Sequence, residues 1–266
     1  MTSLTTKLVE VAAPEFFGVY LFALLGGASS NVASGVGLNG AFGNAIALTS
    51  ILYMLSNDPE SGKLNSAVSL MHYLTAKSKE HQSSDGSRKI NGIQTMLLEV
   101  AMQVTGGLAA GASLKHLLPD PKTSCFEPTV SNSHVFVWEL LGTFLLLGVI
   151  SATGNRYQQV APLAIGLALF AGAQAAGPFT GAAFNPARYL ANLGAGCSVN
   201  KAGFYVGAHI VAACGFAVIV YIERYLMGVR SEAVVQAPQV EDYPVQEFKT
   251  FGSSSWKRSK SRPLLM

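Results

Sequence analysis

Six apolar runs, each near the length that crosses a bilayer, divide this chain, and two further runs are too short to cross. Spanning the hydrocarbon core as a helix takes roughly 20 residues. The long runs cover about 13–32, 39–55, 92–114, 134–153, 160–176 and 203–227. The short ones cover about 65–76 and 185–193, each after a glycine-containing turn, Ser61-Gly62 and Thr180-Gly181. Backbone polar groups in lipid must be satisfied within the segment, so runs of this kind are helical. With 50% hydrophobic and 12% charged residues, the 266-residue chain is too apolar for an average soluble domain. An all-α membrane protein with six transmembrane helices and two half-helices is the predicted fold class.

The charges narrow the reading further. No basic stripe with interleaved aromatics points to nucleic acid. No His/Cys pair has metal-ligand spacing, and no nucleophile elbow or phosphate loop occurs, so no cofactor and no enzymatic chemistry are expected. The first run follows Lys7 as a signal peptide would, yet it contains Glu15 and passes Gly27 without a cleavage site. It reads as a retained span. Six spans put both termini on one side, with Lys77, Lys79, Arg88, Lys89, Arg156 and the cluster Lys257, Arg258, Lys260, Arg262. The opposite loops hold Lys115, Lys122 and Lys201, so the positive-inside rule places both termini in the cytosol. Residues 1–11 are then a cytosolic N-terminus, 12–227 the membrane domain, and 228–266, with alternating charge, Pro and a Ser-rich basic end, a disordered cytosolic tail.

The membrane domain repeats itself. Glu15-Phe16-Phe17-Gly18 opens the first span and Glu139-Leu140-Leu141-Gly142 opens the fourth. Each is followed by another span and then by a short run headed by asparagine, Asn65-Ser66-Ala67 and Asn185-Pro186-Ala187. Three spans per half turn the second copy, about 134–227, upside down relative to the first, about 12–114. Inverted repeats with broken helices bring two helix ends together at the bilayer midplane. Asparagine is a strong N-cap residue and a helix N-terminus carries partial positive charge, so two such ends form a polar, cation-repelling spot. This arrangement points to a pore.

The sequence Gly181-Ala182-Ala183-Phe184-Asn185-Pro186-Ala187-Arg188 makes the resemblance specific, together with the paired Glu-x-x-Gly spans, Gln103 with Gly106, and Tyr205-Val206-Gly207. Over about residues 12–227 the chain resembles the aquaporins, the major intrinsic protein family. That resemblance implies a homotetramer in the lipid bilayer, each subunit conducting water passively while excluding protons and ions. It also implies that Glu15 and Glu139 hold the loops before the half-helices, a role their recurrence at the same repeat position favours over the simpler one of flanking interfacial charges. The first motif departs from the family, with Ser66 where proline is usual, which predicts a somewhat looser start to that half-helix. Just before it the family's histidine is absent, and the loop at 56–60 is longer and more charged.

In the family, four positions form the constriction that decides what passes. The resemblance assigns Arg188, Ala182, and Ala173, twelve residues before Asn185. The fourth is Phe42, from Ala41-Phe42-Gly43, if the loop insertion follows the second span; an ungapped count from Asn65 gives Ala45. Two alanines favour a small neutral solute such as glycerol, urea, ammonia or hydrogen peroxide. Tyr189 after Arg188 and the pair Phe204-Tyr205 resemble water channels instead. Water is the first reading and a small neutral solute the alternative. A proton- or ion-coupled transporter and a non-conducting structural membrane protein are the other classes to weigh.

The remaining signals are weaker. The run Gly106-Gly107-Leu108-Ala109-Ala110-Gly111 reads as a helix-packing face. His72 and His209 read as packed residues rather than pH sensors, and Glu99 marks one end of the third span. Cys125 and Cys197 fall in loops on the same predicted side, which leaves a disulfide between them open.

Overall fold

The computed structural model describes residues 4–30, 38–55, 62–76, 92–154 and 157–226. Among them are α1 (Leu4–Ser30), α2 (Leu38–Leu55), α3 (Ser66–Thr75), α4 (Gly92–Leu117), α5 (Asn132–Thr153), α6 (Ala161–Thr180), α7 (Pro186–Ala195) and α8 (Ala202–Leu226). A single 3₁₀ turn, Pro121–Ser124, precedes α5. The order is two long helices, one short and one long, and then the same again. This is the expected all-α membrane fold with its internal repeat.

Element lengths agree with a bilayer. Five helices are long and apolar enough to cross. The sixth, α2, has 18 residues, or about 27 Å at 1.5 Å per residue, close to the hydrocarbon thickness of about 30 Å. The short helices α3 and α7 have ten residues each, about 15 Å, and therefore reach only halfway. Two boundaries differ most from the sequence expectation. The first helix extends back to Leu4, because nothing before its apolar window, Val9–Ser30, breaks a helix. Helix α6 runs on through Pro178 to Thr180, where Gly181 turns left-handed at φ 83° and ends it.

Helix α4 packs against α1 and α7, α2 against α1 and α6, and α5 against α6. The α4–α7 contact requires small residues. A Cβ on Gly107 would lie 2.3 Å from the carbonyl oxygen of Ala187, and one on Gly111 would lie 1.9 Å from that of Ala191. The backbones touch there, as the glycine-rich run predicts. Val19, Phe22, Leu48, Leu169 and Phe184 share one apolar core cluster, while Glu15, Gln103, Glu139, Arg188 and His209 are buried too. Large apolar side chains such as Phe17, Leu25, Leu141, Leu163 and Val218 face outward. Buried charge with apolar residues outside is the pattern of a protein whose solvent is lipid.

Residues up to Glu223 form one unit; of the second, which starts at Arg224, three residues are described. The charged loop at 56–60, the basic connection at 77–89 and the tail at 228–266 lie outside the described residues.

Candidate functional site

The two short helices meet at their N-termini. Asn65 caps α3, its Oδ1 accepting from Ala67 N at 2.9 Å, and Asn185 caps α7 in the same way at 2.9 Å. The amide of each asparagine then reaches across to the other loop. Asn65 Nδ2 donates to the Phe184 carbonyl at 2.8 Å, and Asn185 Nδ2 donates to the Leu64 carbonyl at 2.7 Å. Each acceptor is the residue just before the opposite cap, so the contact is reciprocal across the repeat. One N–H of each amide is committed in this way, and a carboxamide has two.

Holding those carbonyls in place requires strained backbone. Leu64 and Phe184 adopt φ of 55° and 49°, and Ala182 54°, the left-handed region that bulky residues avoid. The glutamates of the repeat secure the strained peptides. Glu15 accepts from Lys63 N and Leu64 N at 2.8 Å each. Glu139 accepts from Ala183 N at 3.1 Å and Phe184 N at 2.8 Å. Both side chains are fully buried, so they are not interfacial flanking charges. Each carboxylate is fixed in turn by the last long helix of its half. Gln103 of α4 donates to Glu15 at 2.8 Å, and His209 of α8 meets Glu139 at 2.9 Å.

Ser66 belongs to the same network. Its hydroxyl donates to Gln103 Oε1 at 2.8 Å, and Gln103 also donates to Ser69 Oγ at 3.0 Å. Serine at this position adds a tether that proline lacks, and both half-helices have ten residues, while the Asn185 cap accepts from two backbone N–H groups and the Asn65 cap from one.

Arg188, in the first turn of α7, is buried among acceptors and rings. Its guanidinium donates to the Ala182 carbonyl at 2.9 Å and to Asn44 Oδ1. It lies 5.0 Å from the Phe22 ring centre and 5.1 Å from that of Phe126, both within cation–π range. Of the four residues expected at the constriction, Arg188 and Ala173 line one cavity of about 500 Å³, which Asn44 and Phe126 also line. Ala182 meets Arg188 through its carbonyl. The fold does not bring Phe42 to this cluster: it is half exposed and packs edge-on against Phe170. Ala45 instead turns its carbonyl towards Gly166. The residue of α2 that faces Arg188 is Asn44, oriented by donating to the Gly40 carbonyl at 2.8 Å.

Phe126 arrives from the loop before α5. The Cys125–Cys197 disulfide ties that loop to the end of α7, and Phe126 N donates to Asn192 Oδ1 at 3.0 Å. A second, smaller cavity of about 140 Å³ lies on the other side of the asparagine pair, lined by Phe22, Lys63, Asn65, His72, Leu169 and Asn185.

The chain is similar to known proteins. Residues 3–195 match the family model described as major intrinsic protein. Aquaporin A of Dictyostelium discoideum is 30% identical over 195 residues, 66% of this chain and 64% of its own. Aquaporin NIP3-1 of Oryza sativa subsp. japonica is 36% identical over 97 residues, 34% of this chain and 31% of its own. The chain thus spans between 31% and 64% of the length of these two relatives. The X-ray structure of the aquaglyceroporin from Plasmodium falciparum shares the fold, with a TM-score of 0.62 at 21% identity, covering 82% of this chain and 95% of that one.

Proposed function

Since the chain belongs to the major intrinsic protein family, we propose that it is a passive transmembrane channel that conducts water and excludes protons and ions. The observation that carries this reading is the reciprocal pair of asparagine amides, with a cavity on either side. The second N–H of each amide donates to the oxygen of a passing water, which then cannot accept from its neighbours in the file. Each helix N-terminus adds a partial charge of about +0.5 at the same place, which raises the barrier to cations. The left-handed loops turn backbone carbonyls toward the path, where exposed backbone is tolerated because it faces water. Arg188 adds a fixed positive charge before the helix ends, and an arginine at this depth is costly away from an aqueous path.

One observation favours a second reading, a channel for small neutral solutes. Ala173 lines the cavity of about 500 Å³ with a methyl group alone, beside the Arg188 guanidinium. A urea or glycerol molecule would find both room and a hydrogen-bond donor there. In either reading the assembly is a homotetramer with one pore per subunit and cytosolic termini.

Liposomes carrying the protein separate the two. Shrinkage in impermeant sugar reports water flux, and re-swelling in urea or glycerol reports solute entry. Fast shrinkage with re-swelling at the protein-free rate supports the water reading; fast re-swelling moves the assignment to neutral solutes.

A further inference from the structure

The smaller cavity is bordered by a charged residue that neither the repeat nor the asparagine pair explains. Lys63 lies two residues before Asn65, and the matching position before Asn185 is Ala183. Its backbone is pinned, N–H to Glu15, so the side chain starts from a fixed point in the loop. Its Nζ meets Glu99 Oε1 of α4 at 2.5 Å. The pair is asymmetric: 17% of the lysine side chain remains accessible against 3% of the glutamate. Lys63 lines the cavity together with Asn65, His72 and Asn185, and Glu99 does not line it. The glutamate is therefore the member packed into the helix interface, and the lysine is the member that borders the cavity. Burying an ion pair gains little stability over apolar packing of the same volume. A charge held against a channel wall, by contrast, acts strongly on whatever ion passes, because low-dielectric walls focus its field.

We infer that Lys63 is a second selectivity residue, holding a positive charge on the wall of the smaller cavity so that neutral solutes pass and cations are turned back beyond Arg188. Glu99 is its positioning residue. The inference rests on the pore reading above and adds a second station to it, on the side of the asparagine pair away from Arg188.

The test uses the full-length protein in liposomes, with osmotic water flux and potassium leak measured on the same preparations. Wild type, Lys63→Gln, the double variant Lys63→Gln/Glu99→Gln and Lys63→Arg are compared. Lys63→Gln leaves the Glu99 carboxylate unpaired and should leak most. The double variant, whose two amides can bond to each other and keep the packing, should leak less than the single variant but more than wild type. The single variant's rise should be roughly fivefold or more, the factor for two unit charges about 4 Å apart even in bulk water. Lys63→Arg keeps the charge and should restore exclusion. If Lys63→Gln folds poorly, the double variant carries the test alone. Water flux in wild type with no added leak in either glutamine variant would overturn the role of Lys63 and leave the pore reading standing. No water flux in wild type would overturn both.

Discussion

Ser66 takes the place in α3 that Pro186 takes in α7, and each solves the same problem differently. Proline at a first helical position has no N–H to leave unsatisfied. Serine keeps its N–H but bonds Gln103, the residue that holds Glu15. Ser66→Ala should therefore destabilise the protein by about 1–3 kcal/mol, since it leaves the Gln103 oxygen unpaired in the interior. Ser66→Pro loses the same bond but gains the favoured N1 residue, so its loss should be smaller. Thermal unfolding in detergent, followed by circular dichroism, would rank the two. Asn44 invites a different test. Asn44→Ala removes the side chain facing Arg188 and widens the cluster, so urea entry relative to water flux should rise severalfold in the liposome assay. Asn65, Asn185 and Arg188 stand out in the sequence because cap and arginine positions are fixed by adjacent residues. Asn44 does not, since its register depends on the loop at 56–60, whose extra length defeats counting from the motif. Phe22 and Phe126 are equally invisible, because their approach to Arg188 is made by the packing of α1 and by the disulfide-tied loop.

The half-helices depend on their neighbours more than on their own sequences. A ten-residue helix is marginal alone, and these two start from loops with left-handed Leu64 and Phe184, each costing about 1–3 kcal/mol. Carboxylates behind the loops and close packing in front offset that strain. Helix α7 rests directly on α4 at Gly107 and Gly111. Gly111→Ala inserts a methyl group where backbone already sits, and overpacking of this kind costs about 1–3 kcal/mol. Its expected outcome is a lower unfolding midpoint with weakened water flux, since the displaced helix carries Asn185 and Arg188. A variant with wild-type stability and flux would show that α4 and α7 are farther apart. Run length was enough to place these elements, for a segment of about ten apolar residues after a glycine turn cannot cross. Their ends were less legible. The end of α6 at Thr180 depends on where the breaker Gly181 falls, not on where hydropathy falls.

Across the whole molecule the polarity is inverted: carboxylates, an arginine and a histidine occupy the centre and apolar side chains cover the outside. The repeat makes this affordable, because each half supplies a glutamate to fix its own loop and an asparagine to fix the other's. That symmetry was legible in the two Glu-x-x-Gly segments and the two asparagine motifs. Where it breaks, at Lys63 opposite Ala183 and at Ser66 opposite Pro186, the two halves differ, and pairwise contacts decide what each departure does. The central claim is that the meeting helix ends make an open path for water. Its most direct test is the osmotic water permeability of liposomes carrying the purified protein, measured by stopped-flow light scattering over a range of temperatures. Permeability well above protein-free liposomes, with a weaker temperature dependence than the lipid alone, is the expected result. Permeability equal to the lipid control at every temperature, from correctly folded protein, would contradict it.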